Sequence, residues 1–141
     1  MLTRGQAAQL RVLLVDDSPE FVRSALRTLA LDAEVVVVGC ATSGRQALEM
    51  VPDLEPDVVL MDLAMPEMNG LEATKRIKTL ADPPRVVILT LYDDPAYREA
   101  AQAAGADAFV AKADWSRRMP STIHAFEHRG WSGADAPDPP A

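Results

Sequence analysis

Cysteine is nearly missing from this chain of 141 residues: Cys40 stands alone, so no disulfide can form within the chain. A lone thiol fits a reducing compartment. Cys40 closes the VVVVGC run, where a buried, inert thiol is expected. Long hydrophobic runs are also missing. No stretch approaches the roughly 20 apolar residues that a membrane span needs. The N-terminal MLTRGQAAQLRVLLVDD has one early Arg and a short apolar run ending in two aspartates, so a secretory signal is not expected. Positive charge is scarce: 14 Lys+Arg face 21 Asp+Glu, giving a net charge of −7. A phosphate backbone attracts basic surfaces, so direct nucleic-acid binding by this chain is not expected.

What is present is a repeated pattern. Three hydrophobic runs each end in acid or hydroxyl: LRVLLV into Asp16 and Asp17, DVVLM into Asp62, and RVVILT at Thr90. A shorter run, AFVA, ends at Lys112. Continuous apolar runs of this length read as buried strands of a parallel sheet, whose ligands sit beyond the carboxyl ends of the strands.

Helical stretches separate the runs. Strands are expected over 10–15, 34–40, 57–61, 85–90 and 108–111. Helices are expected from Pro19 to about Ala30, with Ser18 as N-cap, and from Ser43 to about Val51, stopped by Pro52. A third opens at Asn69-Gly70 and ends by Asp82-Pro83-Pro84. A fourth spans Pro95 to Ala104, closed by Gly105. A fifth runs from Pro120 to about His128. Residues 1–9 form an N-terminal extension, 10–130 one domain, and 131–141 a Pro-rich disordered tail. Five βα units imply a doubly wound parallel sheet with helices on both faces.

Asp16 and Asp17 can serve one pocket only where the strand ends and the chain turns. Two close carboxylates repel unless a cation is present, and magnesium suits carboxylates, waters and phosphate oxygens. Alternatively, Asp-Asp-Ser-Pro is an Asx-type turn and helix cap. Asp62 adds a third carboxylate, able to act as a nucleophile and form an aspartyl phosphate. Thr90 offers a hydroxyl donor, and Lys112 a point charge with three donors.

Together, VLLVDDSP, VVLMDLAMPEMNGLEA, VVILTLYDD and AGADAFVAKAD resemble the receiver domain of bacterial response regulators, over roughly residues 10 to 115. The resemblance implies a flavodoxin-like (β/α)5 fold with strand order 2-1-3-4-5. It implies that Asp62 accepts a phosphoryl group from a phosphohistidine on a sensor histidine kinase. Asp17 and Asp62 would ligate Mg2+ with the backbone carbonyl of Ala64, and Asp16 would act largely through a bound water. Thr90 and Lys112 would hold the phosphoryl oxygens. Phe109 would turn inward as a switch, although a plain core aromatic reads the same way.

The segment from Thr90 to Lys112 is similar to receivers that usually precede a helix-turn-helix domain. Only a helix and the tail follow here, which points to a single-domain regulator. Its location would be cytoplasmic, and its output a downstream protein. A homodimer would use the face of the fourth helix, fifth strand and fifth helix.

Several local features qualify this reading. Leu91 replaces a small residue common in receivers and could narrow the approach to Asp62. Ala64 has no group to orient a hydrolytic water, so slow self-dephosphorylation is expected. The same alanine lacks the second acid of aspartyl-phosphate phosphohydrolases, which argues against a turnover enzyme. Another reading is a phosphorylation-independent receiver that serves as an interaction module. Trp115, Arg117 and Arg118 form either a partner patch or a packed Trp with solvated arginines. His124 and His128 share a helix face but lack a third metal ligand nearby in sequence.

Overall fold

Alternating apolar runs and amphipathic stretches fold as the βα pattern requires. The computed structural model describes residues 9–65 and 68–126. In chain order it contains β1 (Leu10–Val15), α1 (Pro19–Ala30), β2 (Val35–Ala41), α2 (Gly44–Leu54), β3 (Val58–Asp62), α3 (Gly70–Ile77), β4 (Arg85–Thr90), α4 (Pro95–Ala103), β5 (Ala108–Ala111) and α5 (Trp115–His124). A 3-10 turn, Lys112–Asp114, joins β5 to α5. The strands pair in parallel in the order β2-β1-β3-β4-β5. This is the doubly wound parallel sheet that the pattern implies, in the flavodoxin-like order that the resemblance implies.

Period-two alternation divides the core between the two faces. Val12 and Leu14 of β1, Val58 and Leu60 of β3, and Val87 and Leu89 of β4 pack with Ala25 and Leu29 of α1 and with Trp115, Met119 and Ile123 of α5. Leu13, Val15, Val59, Met61, Val86 and Ile88 face the other way, onto Ala47 and Val51 of α2, Ala73 and Ile77 of α3 and Ala101 of α4. Both faces are covered, so every residue of β3 is buried.

Helix starts follow the expected local chemistry. The Ser18 hydroxyl accepts from the Phe21 N–H, Asn69 Oδ1 from Glu72 N–H, and Asp94 Oδ1 from Ala96 N–H. Gly105 closes the turn after α4 at φ +97°, in the left-handed region that glycine tolerates.

Four expectations need correction. Helix α2 continues through Pro52 to Leu54, where Glu55 adopts the left-handed cap. Helix α5 begins at Trp115, and Pro120 lies inside it rather than at its start. In both, a prolyl residue removes one backbone hydrogen bond, but burial of an apolar stripe keeps the helix going. Trp115, Met119, Ile123 and the following Phe126 recur at near-helical spacing and are all buried. Strand β3 begins and ends one residue later than expected, at Val58 and Asp62. Finally, Cys40 is exposed rather than buried, because β2 is an edge strand flanked by a neighbour on one side only. What remains covered still raises the pKa of its thiol through desolvation. The N-terminal extension up to residue 8, His128 and the Pro-rich tail lie outside the described residues.

Candidate functional site

Four neighbouring segments reach the carboxyl edge of the sheet together. Because β1, β3, β4 and β5 are consecutive and parallel, Asp16, Asp62, Thr90 and Lys112 emerge side by side. They line one cavity of about 350 Å³ together with Asp17, Ser18, Ala64, Asn69, Leu91, Tyr92 and Tyr97. All of the residues expected on sequence grounds are there except Phe109, which is buried in the core on the α2, α3 and α4 side of the sheet.

Asp16 is almost fully buried at 1% exposure, Asp62 at 5%, and Asp17 is exposed. The turn after β1 lets Asp16 Oδ1 accept from the Ser18 N–H at 2.8 Å. That is the Asx-type turn allowed from sequence, and it leaves Oδ2 directed into the site. Lys112 Nζ lies 2.7 Å from Asp16 Oδ2 and 3.3 Å from Asp62 Oδ1. The contact to Asp16 is an ion pair whose angles fall short of a hydrogen bond. The ammonium also sits 4.4 Å from the centre of the Phe21 ring, which Trp115 meets edge-on at 5.5 Å. The lysine is therefore held by two carboxylates above an aromatic face.

One ammonium does not balance three carboxylates. Oxygen atoms of Asp16, Asp17 and Asp62 lie within 4.8 Å of one another. Burial and the charge of Asp16 push the Asp62 carboxyl up to about 6, although Lys112 pulls the other way; Asp17 adds to the rise. An all-oxygen cluster with surplus negative charge fits a hard divalent cation such as Mg2+, which would relieve this repulsion.

Thr90 is buried, and its Oγ1 accepts from the Tyr92 N–H at 3.0 Å, which leaves the hydroxyl proton available to the cavity. Leu91 is 72% exposed and Tyr92 62% exposed. Leu91 lines the cavity and is largely open to solvent. Phe109 is already inward, 4% exposed, with the Arg98 guanidinium 4.8 Å from its ring centre. Arg98 is itself tied to Asp93 at 2.9 Å.

Sequence reading gave Asn69-Gly70 only as a helix start, but the backbone geometry shows a second role. A Cβ at Gly70 would lie 2.2 Å from the Asp62 carbonyl oxygen. Gly70 N–H also donates to the Leu63 carbonyl at 2.9 Å. The glycine lets α3 begin directly against the end of β3, which fixes the loop around Asp62. Phe21 and Tyr97 were likewise not expected at the site. Helical periodicity marks Phe21 as core, and nothing local to its sequence places it under Lys112.

Trp115 is buried, as the packing alternative held, and Arg117 is solvated and paired with Asp114 at 2.6 Å. Arg118 is half-buried.

Residues 12–124 match the response regulator receiver domain. This chain belongs to the receiver family. It is 39% identical over 102 residues to the chemotaxis protein CheY of Thermotoga maritima, covering 72% of this chain and 84% of that protein. It is 35% identical over 111 residues to the probable transcriptional regulatory protein NarL of Mycobacterium tuberculosis, covering 79% of this chain and 51% of that one. A solved two-component response regulator of the LuxR family, from Aurantimonas sp. SI85-9A1, superposes with a TM-score of 0.79 at 30% identity, over 83% of this chain and 84% of that chain. Several of this chain's homologues are NarL-type or LuxR-family response regulators. The chain spans about half the length of many curated relatives it matches. Among the described residues, no helix is long and apolar enough to cross a membrane.

Proposed function

We propose that this receiver accepts a phosphoryl group on Asp62 from a phosphohistidine of a sensor histidine kinase, in a Mg2+-dependent reaction. The observation that carries the proposal is the position of Asp62. It sits at the end of β3, walled by Asp16 and Lys112, and opens onto a cavity large enough for a phosphoryl group. Asp62 Oδ attacks phosphorus, the phosphorus–nitrogen bond breaks, and the imidazole leaves with that electron pair. Asp16, Asp17, Asp62 and the Ala64 carbonyl would hold Mg2+, which when bound neutralises phosphoryl oxygens and keeps Asp62 ionised. Lys112 donates to one phosphoryl oxygen from its anchored position over Phe21, and the Thr90 hydroxyl donates to another.

The readout is a shift between two arrangements. Thr90 exchanges its contact with the Tyr92 N–H for the phosphoryl group, while Phe109 is already inward. The surface of α4, β5 and α5 then changes for a downstream protein or a second copy of the chain. The protein acts in the cytoplasm as a phosphoacceptor and not as a turnover enzyme. It does so without binding nucleic acid directly. A phosphorylation-independent interaction module is the second reading. It rests on the apolar rim of Leu91, Tyr92 and Tyr97, which stands exposed beside an unmodified Asp62.

Intact-protein mass after incubation with acetyl phosphate separates the two readings. One added phosphoryl group, dependent on Mg2+ and lost in Asp62→Asn, supports the switch. A folded protein that gains no mass under any condition overturns it in favour of the interaction module.

A further inference from the structure

At the opposite edge of the sheet, the structure brings together three residues that the phosphorylation site does not use. Asp32 lies in the turn between α1 and β2, Glu34 directly precedes β2, and His124 ends α5. His124 Nε2 is 2.6 Å from Asp32 Oδ2, and Nδ1 is 3.4 Å from Glu34 Oε2. One ligand atom from each lies within 4.8 Å of the others. These residues are some 90 positions apart in sequence (|i−j| = 92 for His124 and Asp32) and meet only through the fold.

We infer that Asp32, Glu34 and His124 form a second metal site, suited to a zinc-class divalent ion, that links the end of α5 to the start of β2. Three features carry the inference. The donor set is one imidazole and two carboxylates, which suits Zn2+ and leaves room for solvent in a fourth position; Mg2+ prefers oxygen alone. Asp32 is held in place from behind, because its Oδ1 accepts from the Glu34 N–H at 3.0 Å. Such a partner orients a ligating carboxylate and leaves Oδ2 turned toward His124. Finally, the three residues share the wall of an open cavity of about 570 Å³ with Thr28, Ser116 and Met119, so an ion and its waters have access.

The site requires a side-chain rearrangement. A nitrogen and an oxygen that both ligate one ion stand further apart than 2.6 Å, since each bond is about 2.0–2.1 Å long. His124 turns Nε2 to Asp32 and Nδ1 to Glu34, so the Glu34 side chain, 70% exposed, swings round to the Nε2 side while Asp32 draws back to make room for the ion.

The test is zinc titration by calorimetry on the full chain carrying Asp16→Asn and Asp62→Asn, which removes the competing carboxylate cluster. His124→Gln and Asp32→Asn are then added one at a time. Asp32→Asn keeps the oxygen that accepts from Glu34, so the turn is preserved. The expected result is one Zn2+ per chain, weakened about tenfold or more by either added variant. The same ion should raise the melting temperature, and His128→Gln should leave both effects intact. No zinc uptake overturns the inference. So does uptake indifferent to His124 and Asp32, or uptake matched by Mg2+ at the same concentration.

Discussion

Asp62→Asn should make the metal-free protein more stable at neutral pH, even though it removes the proposed phosphoacceptor. Burial and Asp16 raise the Asp62 carboxyl from its ordinary 3.8 to about 6. A carboxyl whose pKa rises on folding binds its proton more tightly in the native state. Stability therefore falls as pH climbs from about 4 to about 6, and the loss is level above that. A shift of this size corresponds to about 3 kcal/mol at most. Solvent reaches the cavity, and asparagine gives up the contact with Lys112, so a net gain of about 1–2 kcal/mol is expected at pH 7.5. That corresponds to roughly 3–6 °C in melting temperature for a chain of this length. The assay is urea unfolding of both proteins in a chelator at pH 4, 5, 6 and 7.5. The advantage of Asp62→Asn should be small at pH 4, grow to pH 6 and then stay level. Added Mg2+ should stabilise the wild-type protein and narrow the gap, since an ion that binds only the native state adds stability by mass action. An asparagine variant no more stable than wild type at pH 7.5, or a difference that ignores pH, would refute the reasoning.

Three further outcomes are expected. Lys112→Met leaves two buried carboxylates without their ammonium and should cost about 3–5 kcal/mol in a chelator, an effect that Mg2+ partly restores; urea midpoints with and without the ion measure both. Gly70→Ala drives a methyl group against the Asp62 carbonyl and should cost about 1–3 kcal/mol, read from thermal unfolding, with phosphorylation by acetyl phosphate slowed as well. Ala64→Asn introduces a side chain that can orient a water at the cavity mouth and should shorten the lifetime of the phosphorylated protein; equal half-lives would show that position 64 does not control hydrolysis.

The strand runs, their order of acid, acid, hydroxyl and ammonium, and most helix starts are visible in the sequence. Each depends on near neighbours: period two in a strand, a cap residue before a helix, and a charge where an apolar run stops. That information also suffices to place Asp16, Asp17, Asp62, Thr90 and Lys112 at one sheet edge, since parallel strands end on the same side. Where local rules failed, longer contacts had overridden them. Pro120 reads as a helix start, yet α5 begins at Trp115, because the stripe from Trp115 to Phe126 is buried against α1 and the sheet. Cys40 reads as core from its valine-rich run, yet β2 is an edge, and strand order is a property of the whole sheet.

Other features of the site exist only in three dimensions. The place of Phe21 beneath Lys112, the approach of Gly70 to the Asp62 carbonyl, and the meeting of His124 with Asp32 depend on how helices cross the sheet. So does the rise in the Asp62 pKa. Sequence alone determined which groups stand at the strand ends, because alternation and capping act over a few residues. Tertiary structure decided how close those charges come and how little water they keep, because distance and burial are set by packing between elements far apart in the chain.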